Sequence, residues 1–296
     1  MEQLSLDQHS DRRFRLEQGA LCATFGPLKP AAALSGVARQ AGLGAPAKFA
    51  MTGSGVAVIQ AEIPLVAERR VCEKLADEAL DAAILWPRLA AGPPAPDRMA
   101  FAEDEIESGL SQISWGFHQS DVGSYQIDAA PAPGHAMRVT LVAQGGALRV
   151  STGSSLRADS PDVHRALAVF ALESNSRLRL ARIGVAEKDG AADIVWEAVL
   201  PAALPAVGAI PQLVEAVVYA QVLTRSSLSV LTDARVADTY LRHRPAARAR
   251  RRRRAEAGGR SSRQAMPSAP PLPVAERVPV VDESTAGQCV TVERSP

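Results

Sequence analysis

Two dipeptides in the second half of the chain, Gly145-Gly146 and Asp189-Gly190, each separate a pair of short apolar runs. Such turns need backbone angles that glycine, asparagine and aspartate adopt readily, and their twist suits antiparallel strands. They commit 137–144 with 147–151, and 179–187 with 192–200, to hairpins. Val139 and Leu141 alternate with Arg138 and Thr140, as a sheet with one wet face requires. A further strand is predicted near 124–129. Helical spacing brackets the strands. Ile106, Leu110 and Ile113 recur at i, i+4 and i+7. Ser160-Pro161-Asp162 supplies an N-cap, a proline at the first helical position and an acid in the first turn, ahead of Val163, Ala166, Leu167 and Phe170. A last helix, over about 205–224, carries Ile210, Val214, Val217 and Val218 on one side. The order α-β-β-β-α-β-β-α predicts an α+β fold, an antiparallel sheet with flanking helices.

The back half of that order recurs earlier. An alanine-rich helix (31–42) leads to a hairpin, 47–52 with 56–63, around Gly53-Ser54-Gly55, and a helix follows over about 66–86. Sliding the sequence by 137 residues places Leu43 on Leu180, Gly53 on Gly190, Val58 on Val195 and Pro64 on Pro201. A tandem of two related units is therefore expected, although 12–25 supplies no clear helix plus three strands. Gly92-Pro93-Pro94-Ala95-Pro96-Asp97 can neither continue a helix nor join a sheet interior. The expected organisation is a partial unit at 12–90, a proline-rich linker at 91–100, a complete unit at 101–241, and a tail at 242–296, Arg-rich and then Pro/Ser-rich, with too little apolar surface to order itself.

At 296 residues with 47% hydrophobic and 22% charged side chains, the chain can bury a sizeable core. Its net charge of +1 hides an asymmetry: residues 242–263 hold ten arginines against Glu256, +9 formally, which leaves −8 on the rest. Arginine is abundant, while Lys29, Lys48, Lys74 and Lys188 are all the lysine there is, a bias typical of a GC-rich bacterial genome. Cys22, Cys72 and Cys289 are odd in number and far apart, which fits free thiols and no CxxC metal site. The first fifteen residues are polar and charged, unlike a signal peptide. The longest uncharged stretch, Ala198–Val214, is short for a membrane span and interrupted by Pro201, Pro205 and Pro211. A cytoplasmic location without membrane attachment is expected.

The strand and helix order, the Asp189-Gly190 turn and the proline closing the last strand (Leu200-Pro201) resemble the type III secretion chaperone-like and YbjN-like proteins, as does the wording of Leu178-Arg179-Leu180-Ala181-Arg182-Ile183-Gly184-Val185. The resemblance covers 103–224 and, in part, 31–86. It implies a small α+β binding fold that pairs across a helix or sheet edge, captures extended segments of other proteins and lacks catalytic residues. Here it also implies a dimer made within one chain, each unit covering the other's apolar helix. The fused second unit and the arginine-rich tail depart from that pattern.

The chemistry-bearing residues do not assemble into a motif. His118 and Asp121 with Ser120 or Ser124 lack a nucleophile elbow and read as a polar helix-to-strand loop. His9, His135, His164 and His243 show no ligand spacing, and His164 reads as a solvated flank. No glycine-rich piece completes a phosphate-binding loop. Glu103-Asp104-Glu105, with Glu107, reads as an acidic helix start. Cys72 reads as a small buried residue, and Trp86, Trp115 and Trp196 as core anchors. Arg250, Arg251, Arg252, Arg253 and Arg254 have three readings: a solubilising linker, a polyanion-binding patch, or a contact for a protein partner or the acidic body. The expected function is a non-catalytic protein-binding or chaperone-like module with no cofactor and no metal, a monomer with an internal pseudo-dimer or a homodimer. The alternative is a nucleic-acid-associated protein that binds through its arginine tail.

Overall fold

A computed structural model of the chain describes residues 13–17, 19–40, 43–85, 101–144, 146–188 and 191–243, all of which fall in one compact unit. The expected linker 91–100, the Asp189-Gly190 turn, Trp86, Cys289 and the tail from residue 244 lie outside the described residues. Four strands, β1 (Arg13–Glu17), β2 (Ala20–Leu28), β3 (Ala47–Met51) and β4 (Ala57–Pro64), form an antiparallel sheet in the order β1-β2-β4-β3. Helices α1 (Pro30–Arg39) and α2 (Arg69–Leu85) belong to the same stretch of chain, and α2 packs on β2 and β4.

After α3 (Glu103–Leu110) come β5 (Gly116–Asp121), β6 (Ser124–Ala129), β7 (Met137–Gln144) and β8 (Ala147–Arg157). The chain then forms α4 (Pro161–Asn175), β9 (Arg182–Lys188), β10 (Ala191–Pro201), α5 (Ala206–Val230) and α6 (Ala234–His243). The second sheet has the order β5-β6-β7-β8-β10-β9, antiparallel throughout. The fold is α+β.

Several elements exceed the sequence expectation. β5 adds a strand where a polar loop is predicted, β1 and β2 supply two strands ahead of α1, and α6 follows α5. β8 runs on to Arg157 because it pairs with β10 along its whole length, from Ala147↔Pro201 to Arg157↔Ala191. The extra residues of β8 lie partly on a wet face, so their pairing leaves no alternating apolar pattern to read.

Local chemistry sets the helix positions. Ser160 caps α4, its Oγ accepting from the Val163 N–H at 3.3 Å, with Pro161 in the first turn. α2 buries Cys72, Leu75, Ala76, Ala79, Leu80, Ala83 and Ile84, one stripe at helical spacing. α1 approaches β3 so closely that a Cβ on Gly36 would stand 2.3 Å from the Phe49 ring. Gly36→Ala should therefore destabilise the fold by about 1–3 kcal/mol through overpacking, read as a lowered urea midpoint with an unchanged slope.

The stretch α1-β3-β4-α2 and the stretch α4-β9-β10-α5 share one order and meet along a reciprocal seam. Lys48 on β3 donates to Glu62 Oε2 at 2.8 Å and to the carbonyls of Leu178 and Ala181, in the turn ahead of β9. Arg182 at the start of β9 donates to Glu197 Oε1 at 2.9 Å and to the carbonyls of Leu43, Ala45 and Ala47, in the segment leading into β3. Two helix-end amides repeat the exchange. Gln40 Oε1 accepts from Phe49 N–H at 2.9 Å while its Nε2 donates to Ile183 O. Asn175 Oδ1 accepts from Ile183 N–H at 2.7 Å while its Nδ2 donates to Phe49 O at 2.9 Å. Each edge strand is thus held by its own helix and by the opposite one. All six side chains are buried, so their polar atoms have little water to turn to and these pairings are obligatory.

Candidate functional site

The residues singled out for catalysis lie on an open edge. His118, Ser120 and Asp121 sit on β5, whose six residues are all exposed, which corrects the loop assignment. Ser120 Oγ donates to the Ser124 carbonyl at 3.2 Å, and Asp121 Oδ1 accepts the neighbouring Val122 N–H at 2.7 Å. These are turn contacts, and His118 faces Gln126 across the ladder, with no ion pair to a carboxylate among the described residues. His164 is half-buried with Nε2 4.0 Å from Glu187 Oε1, a correction to the solvated flank. Among the described residues no group of three His, Cys, Asp or Glu is placed to hold a metal ion. Arg250–Arg254 lie outside the described residues.

The acidic start of α3 has a structural task. Glu105 Oε1 accepts the Ala206 N–H at 2.7 Å, so one carboxylate of α3 caps the first turn of α5. The helices then touch at Gly109, where a Cβ would stand 2.8 Å from Ile210.

The deeply buried charges are likewise committed to the fold. Burial pulls the Lys48 ammonium below its usual range, against the opposing pull of Glu62. Cys22, on the same sheet face as Glu62, is pushed up from an ordinary 9.0 to about 11, by burial first and by the Glu62 charge second. Its folded-state value lies above its unfolded one. The stability it contributes is complete below pH 9 and lost as the pH climbs through 11. We expect that loss to be on the order of 1–2 kcal/mol, and the slope of stability against alkaline pH to flatten in Cys22→Ala.

Unspent surface is concentrated on the C-terminal half of α5. Tyr219, Leu223 and Val230 are 55%, 69% and 58% exposed. Their spacing stacks them in one stripe that also passes through Ser226. A hollow flanks the ridge on each side. One, of about 380 Å³, is apolar and bounded by Phe170, Ser226, Ser227, Val230, Leu231, Val236 and Tyr240. The other, of about 370 Å³, is lined by His135, Met137, Gln221, Val222, Arg225 and Ser229 among others. In it Gln221, only 3% exposed, leaves its Oε1 without a hydrogen-bond partner among the described residues.

α6 builds the far wall of the apolar hollow. Asp233 Oδ1 accepts the N–H groups of Arg235 and Val236, which starts the helix, and Phe170 meets the Tyr240 ring at 6.3 Å between centroids. Sequence reasoning missed α6, although the Asp233 cap and the spacing of Val236, Ala237, Tyr240 and Leu241 were available signals.

Of the three prolines expected to interrupt the apolar stretch, Pro201 ends β10 and Pro205 precedes α5, whereas Pro211 is contained inside the helix, a correction to that expectation. By length and composition alone α5 is apolar enough to cross a membrane, with a mean hydropathy of 1.5 over its best window. Half of that window is buried in the protein's own core, against β8, β10 and α3.

Searches against known protein families and against curated proteins returned no match to this chain.

Proposed function

We propose that the chain is a non-catalytic polypeptide-binding module, chaperone-like in the sense its strand and helix order resembles, and that its partner lies along the α5–α6 face. The exposed stripe Tyr219–Leu223–Val230 between two hollows carries this reading. A ridge of apolar side chains with a groove on either side suits an amphipathic or extended segment that buries its own apolar residues there. The unpartnered Gln221 oxygen supports it too, since a peptide N–H would satisfy a buried acceptor that otherwise costs stability. β5, a fully exposed edge strand, is a second place where an extended segment can add.

In the same proposal the two α-β-β-α stretches are copies of one unit that form internally what related folds build from two chains. The reciprocal seam of Lys48, Arg182, Gln40 and Asn175 supports this, as does the 137-residue step that carries Pro64 onto Pro201 and the start of α2 onto the start of α5. The step is not kept everywhere. Phe49 opposes Ile59 while Ile183 opposes Trp196, so the incoming strands are offset by a different amount, and Leu43 and Leu180 are not in equivalent places.

The proposal is tested with a photo-crosslinking residue at Leu223 or Val230 of the full chain, expressed in its native host. Crosslinks to one polypeptide from these positions, absent from the same residue placed at exposed Leu85 on α2, are expected. Equal labelling from all three positions would count against the α5 face.

A further inference from the structure

A third pocket, sharing no lining residue with the two hollows beside α5, has a different chemistry. It opens where the polar side of the first sheet meets the turn after α4, has a volume of about 320 Å³, and is lined mainly by polar groups. Arg15 and Glu17 reach it from β1, Thr24 and Cys22 from β2, Gln60 from β4, and Ser176, Arg177 and Arg179 from the turn. Three guanidinium groups thus face one carboxylate.

Arg179 is already committed, bridging Glu17 and Glu62 and holding the turn against the sheet. Arg15 and Arg177 are not: both are exposed, and neither pairs with a described carboxylate. Thr24 and Gln60 also line the pocket, the buried Gln60 Oε1 without a hydrogen-bond partner among the described residues, while the Thr52 and Ser176 hydroxyls are spent on Val56 O and Glu173 O.

We propose that this pocket binds a small hydroxyl-bearing phosphomonoester. Two guanidiniums without a described carboxylate partner match a dianionic head, since each presents a planar fork that meets phosphate oxygens two at a time. The Gln60 oxygen accepts from a ligand hydroxyl, and the Thr24 hydroxyl adapts as donor or acceptor. A volume near the lower end of small-molecule sites limits the ligand to a few carbons beyond the phosphate. The site stands apart from the α5–α6 face and does not depend on the function proposed for it.

The test is calorimetric titration of the full chain with glycerol 3-phosphate and with citrate at matched ionic strength. One saturable site for glycerol 3-phosphate is expected, weakened about tenfold or more in Arg15→Ser/Arg177→Ser and several-fold in Gln60→Leu. Arg177→Gln alone, an exposed change that leaves the Arg179 bridge intact, reads the same effect if the double variant folds poorly. Saturable binding of citrate alone, no saturable binding of either probe, or glycerol 3-phosphate binding unchanged by the arginine substitutions would each overturn the assignment.

Discussion

Replacing Arg182 with leucine should lower the unfolding free energy by about 3–5 kcal/mol. The guanidinium is 3% exposed and serves Glu197 and the carbonyls of Leu43, Ala45 and Ala47 at once. Leucine fills part of the volume but strands a carboxylate that is itself 1% exposed, whose other described ion-pair partner is Arg149 at 3.7 Å, and takes a donor from the buried carbonyls of Leu43 and Ala47. A buried charge without its partner is among the most destabilising single changes a fold can suffer. Replacing Glu197 by leucine as well removes the stranded carboxylate and should recover a large share of the loss. Urea denaturation of Arg182→Leu, Glu197→Leu and the double variant measures the coupling. A single-variant loss under about 1 kcal/mol would mean that the seam is not what holds the two halves together.

Trp196→Ala should cost about 3–5 kcal/mol as well, by a different route. Trp196 is wholly buried on β10, and its Nε1 donates to Thr224 Oγ1 at 2.8 Å, which in turn donates to the Ala220 carbonyl at 2.6 Å. The indole is thus a tie between the second sheet and the part of α5 that presents Tyr219 and Leu223. Its removal opens a cavity and frees that half of the helix, so amide exchange across 219–230 should accelerate more than across 206–214. Trp196→Phe keeps most of the volume, leaves Thr224 its bond to Ala220, and should cost less than half as much.

Periodic and capped elements were legible from the chain alone. The strands β6 and β7, the Ser160-Pro161 start of α4 and the helix α2 stand where apolar spacing and turn chemistry put them. β5 was not legible, because an edge strand with all six residues exposed has no buried face to write an alternating pattern. β2 hides differently: four consecutive buried residues, Ala20–Ala23, read neither as a one-sided strand nor as a helix. The seam was invisible in sequence, since Lys48 and Arg182 find their partners in carbonyls far along the chain, which no side-chain pattern announces. The α5 ridge was half visible. Its inner residues Ile210, Val214, Val217 and Val218 follow the expected stripe, whereas the exposed apolar stripe gains meaning only once α6 and Phe170 form a wall beside it.

Panning a random peptide library on the full-length protein tests polypeptide capture most directly. Enriched sequences should carry apolar residues at helical or alternating spacing, and the enrichment should be lost in Leu223→Asp/Val230→Asp. Enrichment that survives the double substitution, or none above background, would contradict it.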